Sequence, residues 1–136
     1  MDWSYIAGFF DGEGNLHLNF VKNKTNLQLM CRIYSSDKPV LDIIKEFIDG
    51  KGHIYKDKND VYELTIAKKT DVFFFLKNLF PYLVLKKNFV DYILKNYNFE
   101  RGRNDNFDIQ KFRSFVKRKN VSKFYKNYSL NKPLTE

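Results

Sequence analysis

Asp11-Gly12-Glu13-Gly14 places two carboxylates and two glycines in four consecutive residues, and this is the stretch best equipped for chemistry. Upstream, Asp2 precedes Trp3 in the manner of a helix N-cap, and Tyr5, Ile6, Phe9 and Phe10 supply apolar surface at helical spacing. A short helix is therefore predicted to run into the acidic corner, with Gly12 and Gly14 ending it in the left-handed conformation. Asp11, Gly12 and Glu13 would then stand at a helix C-terminus, where unpaired carbonyls and the macrodipole make the field negative. Such a corner suits a cation and repels a phosphate. A nucleotide-binding glycine loop would need a strand before it and a helix after it, but only four residues precede Tyr5. A calcium loop beginning at Asp11, Glu13 and Asn15 would need glycine at Leu16 and glutamate at Lys22. Both readings are excluded.

The elements that must position this corner follow from the rest of the chain. Its 136 residues predict one domain, and 43% hydrophobic with 18% aromatic content is globular rather than disordered. No apolar run approaches the roughly 18 residues of a membrane span, and no signal peptide opens the sequence, so a soluble intracellular protein without a membrane partner is expected. The single cysteine, Cys31, excludes an intramolecular disulfide and a cysteine zinc cluster. His17 and His53 lack metal-ligand spacing. With 24 Lys and Arg against 16 Asp and Glu, the formal charge of +8 favours a polyanionic partner, nucleic acid first among them.

After the corner the period changes to two. Leu16, Leu18 and Phe20 alternate with Asn15, His17 and Asn19, and Lys22 and Lys24 stand at a basic hairpin tip. Leu27, Leu29, Cys31 and Ile33 then alternate with Gln28, Met30, Arg32 and Tyr34. Pro39 falls in the first turn of a helix whose buried stripe is predicted as Val40, Leu41, Ile43, Ile44, Phe47 and Ile48. A second hairpin pairs 53–56 with 61–67, placing Ile54, Leu64 and Ile66 inward and His53, Tyr55, Asp57, Glu63 and Thr65 outward. Helices are predicted over 72–80, with Phe73, Phe74, Phe75, Leu76, Leu79 and Phe80 as core, and over 88–97 and 109–117, ahead of a basic tail. The order is that of an α+β domain with helices on one face of an antiparallel sheet, the core spanning about 3–97 and a C-terminal helix and tail spanning 98–136. Its polar face carries Arg, Gln and Asn, the side chains that read guanine and adenine edges in a major groove, together with acids that accept from cytosine.

Ile6-Ala7-Gly8-Phe9-Phe10-Asp11-Gly12-Glu13-Gly14 resembles the LAGLIDADG motif of homing endonucleases, and Asn15-Leu16-His17-Leu18 resembles the strand that follows it in that family. The resemblance implies an α-β-β-α-β-β-α fold with a saddle-shaped sheet. With one copy of the motif, it further implies a homodimer whose motif helices pack at Ala7 and Gly8, with Asp11 near the interface, bringing two acidic corners side by side. Two such carboxylates repel unless a cation intervenes. Implied cofactors are therefore Mg²⁺, or another divalent cation such as Mn²⁺, held by Glu13 and the Gly12 carbonyl. The implied activity is site-specific hydrolysis of double-stranded DNA at a long, nearly palindromic target.

Pro81-Tyr82-Leu83-Val84-Leu85-Lys86 matches the family's P-x-L-x-x-K pattern, which implies that Lys86 helps to activate the nucleophilic water. Many relatives carry a solvent-holding glutamine near the end of the second strand, where this sequence has Ser35 or Ser36. An alternative within the same resemblance is an RNA-splicing maturase or a DNA-binding regulator that does not cut. Glu13 and Lys86 favour the enzyme, because a pure binder has no need of an acid facing phosphate.

Overall fold

A computed structural model of the chain describes residues 1–21 and 26–116. Helix α1 (Trp3–Glu13) begins where the Asp2 carboxylate accepts a hydrogen bond from the Tyr5 N–H at 2.8 Å, a bond that holds this carboxyl below its ordinary pKa. It runs into β1 (Gly14–Val21), which pairs with β2 (Asn26–Ser35). Helix α2 (Lys38–Phe47), β3 (His53–Lys56) and β4 (Tyr62–Ile66) follow. Helix α3 (Lys69–Leu79) then passes through a 3₁₀ turn (Phe80–Tyr82) into α4 (Lys87–Asn96). The main unit, Met1–Asp105, contains all of these and the whole of the expected core. A second unit begins at Asn106, and within it α5 (Ile109–Val116) is the described element. The basic tail from Lys117 lies outside the described residues, as do Lys22 and Lys24.

The four strands form one antiparallel sheet in the order β1-β2-β4-β3. Its register sets Leu16 opposite Cys31 and Ile33 opposite Leu64, so the apolar residues of both hairpins share one face. Leu16, Leu29, Cys31, Ile33, Leu64 and Ile66 are buried there, against α1, α2 and α3. The helices bury narrower stripes than their composition predicts. In α2 the buried residues are Leu41 and Ile44, with Ile48 just beyond the helix, whereas Ile43 is 50% and Phe47 36% exposed. Only one side of a helix meets a flat sheet, and residues two apart lie on different sides of it. In α3, Val72, Phe75, Leu76 and Leu79 are buried for the same reason, while Phe73 turns outward and packs on Phe99 at 5.2 Å.

One long-range polar contact completes the sheet. β4 ends opposite Cys31, so the first half of β2 has no strand on that side among the described residues. There the buried Tyr97 hydroxyl accepts from the Leu29 N–H at 3.2 Å and donates to the Leu27 carbonyl at 3.0 Å, taking the place of a missing strand. Tyr97→Phe removes no packing volume but leaves an amide and a carbonyl buried without partners. The expected loss is about 2–3 kcal/mol, to be measured by urea denaturation with an unchanged m-value. A loss below about 0.5 kcal/mol would mean that these groups find other partners.

Candidate active site

The acidic corner is built by the junction of α1 and β1, with one correction to the expected geometry. Gly12 lies inside α1, and Gly14 is extended at φ −106° and ψ 163°, so neither glycine adopts the left-handed conformation. The requirement at Gly14 is steric. A Cβ there would fall 2.2 Å from Cδ1 of Phe10, a fully buried ring that stacks edge-on against Phe75 at 5.8 Å. Glycine at 14 thus lets the chain turn into β1 directly over the core. The Gly14 N–H donates to the Phe10 carbonyl, and the chain four residues beyond Gly12 and Glu13 is already strand, so their carbonyls have no helical donor. The Glu13 side chain and Gly12 are exposed at this helix end.

Lys86 is brought to the same place from the far side of the sequence. Its ammonium donates to the Asp11 carbonyl at 2.7 Å and lies 5.8 Å from the centre of the Phe10 ring. Burial against this apolar surface lowers the lysine pKa below its ordinary value, and the negative charges of Asp11 and Glu13 partly oppose that shift. A half-buried cation is thus bonded to the last turn of α1, within electrostatic reach of the exposed Glu13 carboxylate. Among the described residues, no three His, Cys, Asp or Glu side chains cluster to hold a metal. What the corner offers is an oxygen-only donor set, one carboxylate and one carbonyl, which fits a hard divalent cation that completes its shell with water and phosphate oxygens.

The motif helix presents a different surface from the one its sequence implied. Ala7 is fully buried within its own chain and cannot meet a partner. Gly8 and Gly12 are exposed, a Cβ at either would meet nothing within 4 Å, and exposed Ser4 continues the same four-residue spacing. Asp11, which the resemblance sets near the interface, engages its carboxylate within the chain, accepting from the Val84 and Lys86 backbone N–H groups. Neither contact was visible in the sequence, where Val84 and Leu85 stood only as unspecified positions of the P-x-L-x-x-K pattern. Ser35 ends β2, and its hydroxyl accepts from the Asp37 N–H at 3.0 Å, which commits one of its lone pairs to the turn.

The open face of the sheet gathers most of the proposed base readers in rows. Asn15, Arg32, Thr65 and His53 lie side by side across all four strands, Tyr34, Glu63 and Tyr55 form the next row, and His17 with Met30 and Asn19 with Gln28 form two more. At the centre the Thr65 hydroxyl donates to the Glu63 carboxylate, and Arg32 Nε lies 3.8 Å from the same carboxylate. Asn15 Nδ2 reaches the Tyr34 hydroxyl at 3.5 Å. Arg32 Nε and Asn15 Oδ1 are buried without hydrogen-bond partners. His17, beside this group, has its pKa lowered by burial and then by the Arg32 charge, with Glu63 opposing. Thr65 is buried and Asp57 lies past the end of β3, its carboxylate accepting from the Asn59 and Val61 N–H groups to build the hairpin turn. Asp57 therefore builds the turn at the edge of this face.

The sequence model of the LAGLIDADG endonuclease family matches residues 6–99. Among solved structures, the fold is similar to that of the homing endonuclease I-CvuI in complex with its target, with a TM-score of 0.61 and 23% identity over 68% of this chain and 63% of that one. The meganuclease I-AabMI bound to uncleaved DNA gives a TM-score of 0.59 and 23% identity over 71% of this chain and 38% of that one. The homing endonuclease I-TnaI gives 0.57 and 28% identity over 70% and 71% of the two chains. This chain thus spans less than two thirds of the length of I-CvuI and of I-AabMI. No curated protein matches the sequence.

Proposed function

Because the chain belongs to the LAGLIDADG endonuclease family, we propose that it is a site-specific DNA endonuclease that acts as a homodimer on a long, nearly palindromic duplex. The observation that carries this reading is the convergence of Lys86 with the Gly12-Glu13 corner at the C-terminus of α1. The similar structures of I-CvuI and I-AabMI hold DNA, which supports a duplex as the partner. The net charge of +8 supports it independently.

In this reading two chains meet along α1, where Ser4, Gly8 and Gly12 leave a lane without side-chain bulk for a second helix. Each chain then supplies one Glu13, and the paired carboxylates would disfavour one another's ionised form without a cation between or beside them. Glu13 and the Gly12 carbonyl would hold Mg²⁺ or Mn²⁺, which when bound offsets charge on the phosphate and makes a bound water more acidic. Lys86 places a positive donor beside that corner, where it orients the attacking water and meets charge developing on the phosphate. The open sheet face lies against the major groove. Arg32, Asn15 and Gln28 carry the side-chain types that pair with guanine and adenine edges. The Glu63 carboxylate limits the freedom of Arg32 before DNA arrives.

The reading is tested by incubating the protein with a random duplex library and Mg²⁺ and sequencing the cut ends. Enrichment of one pseudo-palindromic family of sites, lost on chelation, is the expected result. Retained duplex binding with no cut product in Mg²⁺ or Mn²⁺ would replace the enzyme by a binding protein of the same family.

A further inference from the structure

Asp11 has no part in the cleavage reading above, yet it is the most fully engaged polar residue near the corner. Its Oδ2 accepts from the Val84 N–H at 2.8 Å, its Oδ1 from the Lys86 N–H at 2.9 Å, and its main-chain carbonyl from the Lys86 ammonium at 2.7 Å. Three bonds thus tie the end of α1 to a single short stretch of the connection before α4. Beyond these, the Lys86 carbonyl accepts from the Val90 N–H at 2.9 Å where α4 begins, which leaves the Val84 and Lys86 amides to the Asp11 carboxylate. Val84 is 78% and Leu85 71% exposed, and Lys86, in the N-cap position of α4, makes no side-chain cap bond of its own. Leu83 is the buried apolar anchor, three residues short of the lysine. A side chain as long as lysine reaches one point reproducibly only if its backbone is fixed, and here the two amide bonds to the Asp11 carboxylate do the fixing.

We propose that Asp11 is a positioning residue for Lys86: its carboxylate grips the backbone on both sides of Leu85 so that the lysine amine is delivered to the Gly12-Glu13 corner. The inference rests on the cleavage role proposed for Lys86. It requires an acceptor at both side-chain oxygens, which gives a diagnostic substitution. Asp11→Asn is nearly isosteric, but whichever way the amide is turned, its NH₂ group faces a backbone N–H donor. One bond of the pair is replaced by a repulsive contact while the packing is kept.

The test combines a double-mutant cycle with amide exchange. Asp11→Asn should slow single-turnover cleavage on the order of 10- to 100-fold, the scale of a misplacement near 1 Å, with duplex affinity within a few-fold of wild type. If Asp11 acts through Lys86, adding Asp11→Asn to Lys86→Ala should slow the reaction no further than Lys86→Ala alone. Multiplicative losses in the double variant would overturn the proposal, since they would give Asp11 a role of its own. In the free protein, Asp11→Asn should raise hydrogen exchange of the Val84 and Lys86 amides by about tenfold or more, the loss of one charge-assisted bond. Unchanged exchange overturns the grip whatever the cleavage result. Should the unaltered protein cut no duplex at all, the cleavage reading fails separately, and exchange alone decides whether Asp11 holds this segment.

Discussion

Glu13→Gln is expected to bind its duplex as well as the unaltered protein, or slightly better, and to cut it at least 10³-fold more slowly, in keeping with the several kcal/mol of transition-state stabilisation that a bound cation supplies. The two halves of this expectation have separate causes. Glu13 is exposed at the end of α1 and makes no side-chain hydrogen bond or ion pair among the described residues, so the substitution leaves fold and sheet face intact. Removing a negative charge from a surface that must approach phosphates eases binding and offsets the loss of a cation that would otherwise bridge to the phosphates. The same change takes the one carboxylate from the oxygen donor set at the corner, and a neutral amide oxygen is a much poorer ligand for a hard dication. Binding is measured by fluorescence anisotropy in Ca²⁺ and cutting by single-turnover gel assay in Mg²⁺. Cutting within tenfold of the unaltered rate would remove Glu13 from the metal site.

Lys86→Ala carries the second largest effect, a slowing on the order of 10²-fold in the cutting step with little change in affinity. The position of the amine argues for this size. It is half-buried over Phe10, bonded to the last turn of α1, and close enough to Glu13 for the carboxylate charge to act on it. The substitution also removes the bond to the Asp11 carbonyl, so melting temperature must be followed alongside. Burial disfavours the charged form in the folded chain. Between the lowered native pKa and the ordinary lysine value, the unfolded chain therefore binds the extra proton, and stability rises with pH across that window. Lys86→Ala should abolish that rise. A single-turnover rate equal to that of the unaltered protein would leave Lys86 as an anchor of the α1 terminus and nothing more.

Several features on which these predictions rest were legible without coordinates. Alternation with period two named Leu16, Leu29, Cys31, Ile33, Leu64 and Ile66 as inward, because successive side chains of a strand point to opposite sides whatever lies beyond it. Asp2 announced the start of α1, and the resemblance of Pro81-x-Leu83-x-x-Lys86 to the family's pattern singled out the lysine. Periodicity and caps are local, set by a few neighbouring residues.

Other features belong to the tertiary structure alone. Helix α1 is apolar on most of its circumference, so nothing local distinguished Ala7, which packs inside its own chain, from Gly8, one step of about 100° away and exposed. The same ambiguity placed Ile43 and Phe47 in the core when the sheet meets only the Leu41-Ile44-Ile48 side of α2. Asp11 finds its donors at Val84 and Lys86, and Tyr97 completes β2 at Leu27 and Leu29. The acidic corner was thus readable as chemistry from its residue types, a carboxylate and glycines at a helix end. Its partners were not, because a hydrogen bond across some 70 residues of chain leaves no period in the sequence and exists only once the sheet and helices have closed around it.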